Sequence, residues 1–436
     1  MSNIEELKQA VVARVDAQRG HILALADKLL HTPELGFREF RTAEIVRDEF
    51  LRIGLAPRTG LAVTGMRADL PGRAAGPTVA ILGELDALPV PTHPFADPAT
   101  GAAHACGHHS ELAMMLAAAD ALKFAADRLD GTVAFIAAPA EEFQDLGFLR
   151  ELIAEGKIAF GGGKPELIRL GVFDDIDAVM MIHAGHETFV PAGYNGFCIK
   201  RIVFCGRAAH GGLSPWNGIN ALSMARQALN MIDAQRDTFD DRDAVRIHGI
   251  IRDGGSAVNV VPARAVLELQ IRAKSPEAVK RSSELVDRCV RAAALAFGGG
   301  AEIENFAGYM PYRATPELDA VHARNLRMLN GGTLGNCGHR GSSTDMGDVS
   351  MLIPALHAYS CGFTGAPHTA DFVVSDPDKA YVDGAKLLAM NAIDLLADGA
   401  AKAHEIAVAP RAMDKKTYLE YKRQLSLKTE YHYDQN

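Results

Sequence analysis

PTVAILGELDAL, residues 77–88, is a short apolar run between turn residues that ends on two carboxylates, Glu84 and Asp86. An apolar run of this length with a polar tip reads as a buried strand. GTVAFIAAPAEE (131–142) and IDAVMMIHAG (176–185) have the same form. Between the first two, HACGHHSELAMMLAAADALKF (104–124) reads as a loop entering an Ala/Leu/Met-rich helix. Upstream, apolar positions recur at helical spacing over residues 4–31 and stop before Pro33, and a second helix of about 41–53 ends at Gly54. Helices alternating with buried apolar strands predict an α/β domain with a mainly parallel sheet. Its polar residues fall at the carboxyl ends of strands, where such sheets bind ligands.

Beyond residue 196 the texture changes. CIKRIVFCGRAAH (198–210) and AVLELQIRA (265–273) alternate apolar with polar, and each adjoins a long amphipathic helix, 219–235 and 276–297. That pattern predicts a smaller α+β insert, with the first of these strands on an exposed sheet edge open to pairing with its twin. From about residue 314 the α/β texture returns. The chain of 436 residues exceeds what one core usually supports. The expected division is a split domain of residues 1–196 and 314–410, an insert of 197–313, and a polar C-terminal extension, 411–436.

Hydrophobic residues make up 48% and charged residues 23%, and the net charge is -9 with acids and bases interspersed. A nucleic-acid partner would need a basic stripe, which is missing. No apolar run reaches the roughly 18 residues that span a bilayer. The start MSNIEELKQAVVARVDAQRG has no basic segment followed by an apolar core. No membrane partner and a cytoplasmic location are therefore expected. Six cysteines scattered through a long chain are unlike a disulfide framework, so most are expected to be reduced.

Five residues of metal-ligand type sit at predicted strand ends or in Gly/Ala-rich turns: Cys106 and His108 in HACGH, Glu142 in PAEE, His183 in MMIHAG and His368 in GAPHTAD. Thiolate, imidazole and carboxylate together suit zinc, manganese, cobalt or nickel, one or two per subunit, better than calcium or magnesium. Singly each has a bland reading, since a histidine beside an apolar strand is usually structural. Cys-Gly-His even recurs at 337–339, without the buried strand and helix around it. Glu141-Glu142 is more telling, because two carboxylates ending an apolar strand are costly unless a cation faces them. Adjacent side chains on extended backbone point to opposite sides, so one can bind metal while the other stands in the cleft as a base. A solvated pair at a loop start is the alternative.

GELDAL, HACGH, PAEE, MMIHAG, GRAAHGGLSPWNGINAL, GGSAVNVVPARAVLELQIRA, GSSTDMGDVS and GAPHTADF follow one another in the order found in the M20 family. Over residues 20–395 or so the chain resembles the branch holding aminoacylases, N-acyl amino acid amidohydrolases and p-aminobenzoyl-glutamate hydrolase subunits. The resemblance implies a zinc-peptidase-like α/β catalytic domain with an inserted α+β lid and dimerisation domain. It implies Cys106, His108, Glu142, His183 and His368 as metal ligands and Glu141 as general base. His210 corresponds to a lid histidine that reaches the neighbouring subunit's active site, and Asn259 and Arg272 to lid residues that hold a substrate carboxylate.

The chain also departs from the family pattern. Where other members carry His-x-Asp it has Glu84-Leu85-Asp86, which leaves the metal contact of those two residues and the metal count open. His109 stands where the branch has Asp or Asn, which points to altered groups behind the metal ligands or to an altered substrate pocket. The segment 90–108 is long and Pro-rich for a connection, as expected of a loop that shapes specificity.

The expected activity is metal-dependent hydrolysis of the amide of an N-acyl or N-aroyl amino acid with a free carboxylate, by a homodimer or higher homo-oligomer acting on a small anionic substrate. Hydrolytic deamination of an anionic aromatic amine, such as a substituted anthranilate, is the alternative for the same residues. A catalytically silent partner subunit is a third reading, opposed by the complete ligand set beside Glu141.

Overall fold

A computed structural model describes residues 3–433. Its contacts divide into two compact units, the first of residues 3–193, 312–340 and 345–414, the second of 194–311, 341–344 and 415–433.

The first unit is built on an eight-stranded mixed sheet in the order Arg58–Leu61, Gly65–Pro71, Asp130–Ala138, Ala74–Glu84, Ala178–Ala184, Ala355–Ser360, Phe189–Val190, Gly335–Asn336. The middle four strands are mutually parallel. Val79–Leu82, Val133–Ala138 and Ala178–Ile182 are almost wholly buried, as a parallel sheet covered on both faces requires. Register aligns Glu84 with Ala138 and His183 with Tyr359, so the carboxyl ends of all four strands share one edge. The strand predicted from residue 77 begins at Ala74 and ends at Glu84, and Leu85–Ala87 turn away from it.

Helix His108–Phe124 is buried from His108 to Leu122, because its apolar residues cover every face. It lies against the sheet and beside helices Asn3–Ala17, Arg19–Leu30 and Gly384–Leu396. Gly83 permits the close approach, since a Cβ there would sit 3.1 Å from the backbone of Glu111. The single periodic stretch of residues 4–31 is in fact two helices, Asn3–Ala17 and Arg19–Leu30, broken where the polar run around Gln18 leaves helical geometry.

The second unit holds a five-stranded antiparallel sheet in the order Arg246–Asp253, Arg264–Ala273, Gly196–Cys205, Gly300–Ala307, Lys428–His432. Helices Ala221–Ala234 and Pro276–Phe297 pack on it around Ile202, Phe204, Leu267, Val290 and Ile303. This corrects the expectation of an exposed edge at residues 198–210. Gly196–Cys205 is the middle strand, bonded on both sides. Alternation reports one buried face, and a central antiparallel strand has that as much as an edge strand does. The outer strands are Arg246–Asp253, with Ile250 and Ile251 exposed, and the polar Lys428–His432. The C-terminal residues, expected to be a surface extension, contribute helix Lys415–Gln424 and the fifth strand to this unit. Tyr418 is fully buried there, and Tyr421 Oη donates to Pro276 O at 2.9 Å. No described helix is long and apolar enough to cross a membrane.

Candidate metal centre

Three turns at the carboxyl edge of the first unit's sheet aim the candidate ligands. After Ala138 the chain bends at Ala140, whose φ is +47°. Its N–H donates to the buried carboxyl of Glu39 at 2.8 Å, which Thr64 also holds at 2.6 Å. Burial, aided by the charge of Asp86, pushes Glu39 up to about 8. The second turn passes through Gly107 at φ +89°, where a Cβ would lie 2.3 Å from that of Ala184, so the Cys106–His108 turn is pressed onto the strand end that carries His183. The third carries His368, itself at φ +66°, tied to the second by its N–H donating to Ala105 O at 2.8 Å. A non-glycine residue held in this region marks a turn over-determined by its surroundings.

These turns bring all five predicted ligand residues together. Ligand-type atoms of Cys106, His108 and His183 lie within 4.8 Å of one another, as do those of Cys106, Glu142 and His368, with Cys106 common to both sets. Glu84 and Glu111 join His108 and His183 in a further set. His108 Nδ1–H donates to Asp86 O at 3.0 Å and lies 3.1 Å from Asp86 Oδ1. His183 Nδ1–H donates to Ala184 O at 2.8 Å. A carbonyl can only accept, so each Nδ1 carries a proton and Nε2 is the ring atom left to bind an ion. Asp86 also accepts the N–H of Glu142 at 2.9 Å, so it orients two candidate ligands without joining them.

The electrostatics favour a cation. Four buried atoms, Glu84 Oε2, His108 Nε2, Glu111 Oε1 and Glu142 Oε1, have no hydrogen-bond partner, although His108 Nε2 is 3.1 Å from Glu84 Oε2 and His368 Nε2 is 3.1 Å from Glu142 Oε1. Burial and then Glu84 push Glu111 well above the carboxylate range. Burial, Glu84, Glu142 and Asp345 do the same to Glu141. Burial and Glu142 raise the Cys106 thiol. Burial opposes charge on His108, but Glu84, Cys106 and Asp86 raise it well above the usual imidazole value. Burial lowers His183 to about 4. Converging acceptors that must otherwise hold protons are what a divalent ion relieves.

A second buried group lies beside the first. Lys164 is fully buried and donates to Glu84 Oε1 at 2.5 Å and to Asp345. Against burial, Asp345, Glu84 and Glu141 raise Lys164 further above its usual value, and burial pushes Asp345 up to about 7. Against the same burial, Lys164, His108 and His183 hold Glu84 well below the carboxylate range. Gly163 presses this segment against the Glu141 turn, since a Cβ there would lie 1.6 Å from Pro139 O. Neither Lys164, Asp345 nor Glu111 was anticipated. Each had a signal: a carboxylate in the first turn of an otherwise apolar helix, a lysine in GGGKPEL, and an aspartate inside GSSTDMGDVS.

His109 does not face this cluster. It is buried with Nε2 3.1 Å from Tyr381 Oη, between Phe363 and Tyr381. His210, Asn259 and Arg272 belong to the second unit. His210 is exposed, and its Nδ1 accepts the N–H groups of Gly212 at 3.2 Å and Leu213 at 3.0 Å, which leaves the proton on Nε2. Asn259 is exposed. Arg272 donates to Ser343 Oγ at 2.8 Å and Gln270 Oε1 at 3.0 Å. Cys337, in the repeated Cys-Gly-His, is exposed and enters no ligand set among the described residues.

The model of peptidase family M20/M25/M40 matches residues 80–392, which include the whole ligand cluster. The chain belongs to this family. As an M20 member it is a hydrolase acting on C–N bonds. It is 30% identical to the Xaa-Arg dipeptidase of Mus musculus over 430 residues, 91% of this chain and 90% of that one. It is also 30% identical to the N-acetylcysteine deacetylase of Bacillus subtilis over 318 residues, 66% of this chain and 77% of that one. Its fold is similar to that of a dinuclear metal binding M20 peptidase from Bacillus subtilis, with a TM-score of 0.66 at 21% identity, covering 87% of this chain and 99% of that one.

Proposed function

We propose that this M20 hydrolase cleaves the amide bond of a small N-acyl amino acid or dipeptide with a free carboxylate, at a divalent metal centre held by Cys106, His108, Glu142, His183 and His368. The observation that carries the reading is the convergence of these five donors with Glu141 beside them. Cys106 stands in two ligand sets, which favours two ions sharing its thiolate, and the mixed S/N/O donors favour zinc, manganese, cobalt or nickel. Bound there, such an ion supplies Lewis acidity and lowers the pKa of water towards neutrality.

Glu141 then takes a proton from the attacking water and returns it to the departing amine. Asp86 keeps His108 in the Nδ1–H form, and Lys164 keeps Glu84 ionised beside it. His210, whose Nε2 bears the proton, is proposed to donate to the oxyanion, and Arg272 with Asn259 to hold the substrate carboxylate. The exposed edge Arg246–Asp253 favours a homodimer formed through it, with His210 acting on the partner's site. The cysteines are all free, which suits a cytoplasmic location.

Incubation with a panel of N-acyl amino acids, dipeptides and aromatic amines tests the reading. Release of the free amino acid from the amides, lost when the substrate carboxylate is itself amidated, is expected. Ammonia from the aromatic amines with no amide cleavage would replace this reading with deamination. Mixing inactive Glu141→Gln and His210→Ala subunits tests the shared site. Return towards half of wild-type activity is expected, and none after demonstrated exchange contradicts it.

A further inference from the structure

The first unit contains a second cavity, of about 340 Å³, walled by Phe95, His104, His109, Phe363, Phe372 and Val373. Leu30 and Pro94, half-buried and exposed, stand at its mouth. Phe363 and Phe372 form a stacked slab, with centroids 5.0 Å apart and planes 10° apart. His93 belongs to the long Pro-rich segment and fixes this wall, with Nε2–H donating to Phe372 O at 3.0 Å and Nδ1 accepting from Phe95 N at 3.2 Å. Polar groups are left over on two walls: neither ring nitrogen of the buried His104 has a hydrogen-bond partner. His109 is 1% exposed, its Nε2 is turned to Tyr381, which does not line the cavity, and its Nδ1 has no hydrogen-bond partner. A buried polar atom without a partner is destabilising, so one kept inside an aromatic cavity points to a ligand that satisfies it.

We propose that this cavity binds an uncharged aromatic group carrying one hydrogen-bonding N–H or O–H, which pairs with His109 Nδ1 while its ring packs on the Phe363–Phe372 slab. The size fits: an apolar cavity of about 150 Å³ holds benzene, so this one admits a ring system of roughly two rings. The charge fits as well. Apart from His93 and the pair His104 and His109, no ionisable side chain lines it, so no fixed charge faces a ligand. A metal does not explain the pair, because neither histidine enters a three-residue ligand set among the described residues. The site goes beyond the proposed hydrolysis and does not rest on it. Its walls include the segments that carry Cys106–His108 and His368, so an occupant would brace both ligand turns.

Calorimetric titration of the purified full chain tests the proposal, with indole as the free ring and N-acetyltryptophanamide as the same ring on a peptide backbone. Leu30→Trp plugs the mouth from a half-buried position, and His109→Phe keeps an aromatic wall while removing the polar atom. Circular dichroism and melting confirm that each variant folds. Saturable indole binding that Leu30→Trp abolishes and His109→Phe weakens about five- to tenfold, the worth of one neutral hydrogen bond, is expected. If N-acetyltryptophanamide binds with the same sensitivities, the ring arrives on a larger molecule. If indole alone binds, the ligand is a free ring. No saturable binding of either probe, or binding that neither variant disturbs, overturns the proposal.

Discussion

Glu141 and Glu142 are neighbours in sequence that the fold treats oppositely. Burial opposes charge on both; His368 offsets it at Glu142, whereas Glu84, Glu142 and Asp345 add to it at Glu141. Replacing Glu141 with Gln keeps the shape and removes the base, so turnover should fall by about 10²–10⁴-fold while metal content stays near wild type. Loss of metal in that variant would make Glu141 a ligand. Lys164→Met leaves Glu84 and Asp345 buried without their cation, a change that typically costs about 3–5 kcal/mol. Urea denaturation should show that loss, and adding Glu84→Gln should restore part of it; unchanged stability would contradict the buried pair.

Glu39 gives a pH signature. Its carboxyl titrates near the ordinary 4.5 when unfolded and is pushed up to about 8 by burial and Asp86 when folded. Between those values the folded state keeps a proton that the unfolded state has lost, so stability falls as pH rises through the window. Melting temperatures at pH 5 and pH 8 should therefore differ less in Glu39→Gln than in the wild type. Equal differences in the two proteins would contradict the assignment.

At the scale of elements, the edge strand Arg246–Asp253 offers unpaired backbone beside Ile250, 53% exposed, and Ile251, 41% exposed. The proposed dimerisation through it should be sensitive to a charge there. Ile251→Lys is expected to halve the mass that the proposed dimer shows in sedimentation while the melting profile remains cooperative; a mass that the substitution leaves unchanged would contradict the proposed interface.

Strand existence was legible wherever an apolar run ended on a carboxylate or histidine, as at Glu84, Glu141 and His183, because burial on both faces leaves no polar residue until the sheet's rim. Strand order was not legible. Side-chain alternation in residues 198–205 records which face is buried, whereas the neighbours are set by backbone bonds that no side chain reveals. Lys428–His432 escaped for the opposite reason, since a polar edge strand looks like a solvated tail. Lys164 was hidden because a buried lysine is rare and is explained only by two carboxylates, Glu84 and Asp345, that come from distant segments.

Across the whole chain, the candidate centre draws on segments near residues 84, 106, 142, 183, 345 and 368, which meet because four parallel strands end on one edge. The motif order located most of these residues, and the topology accounts for their convergence. His109, expected to belong to an altered substrate pocket, is buried with Nε2 beside Tyr381 Oη and lines an aromatic cavity, a position that its adjacency to His108 could not reveal. The central claim is that the five donors hold a divalent ion on which hydrolysis depends. The most direct test is elemental analysis of the purified protein, paired with amide hydrolysis before chelation, after it, and after return of the ion. The account predicts one or two equivalents of a first-row divalent metal per chain, loss of both metal and activity on chelation, and recovery of both on reconstitution. Full activity in thoroughly metal-free protein would contradict it.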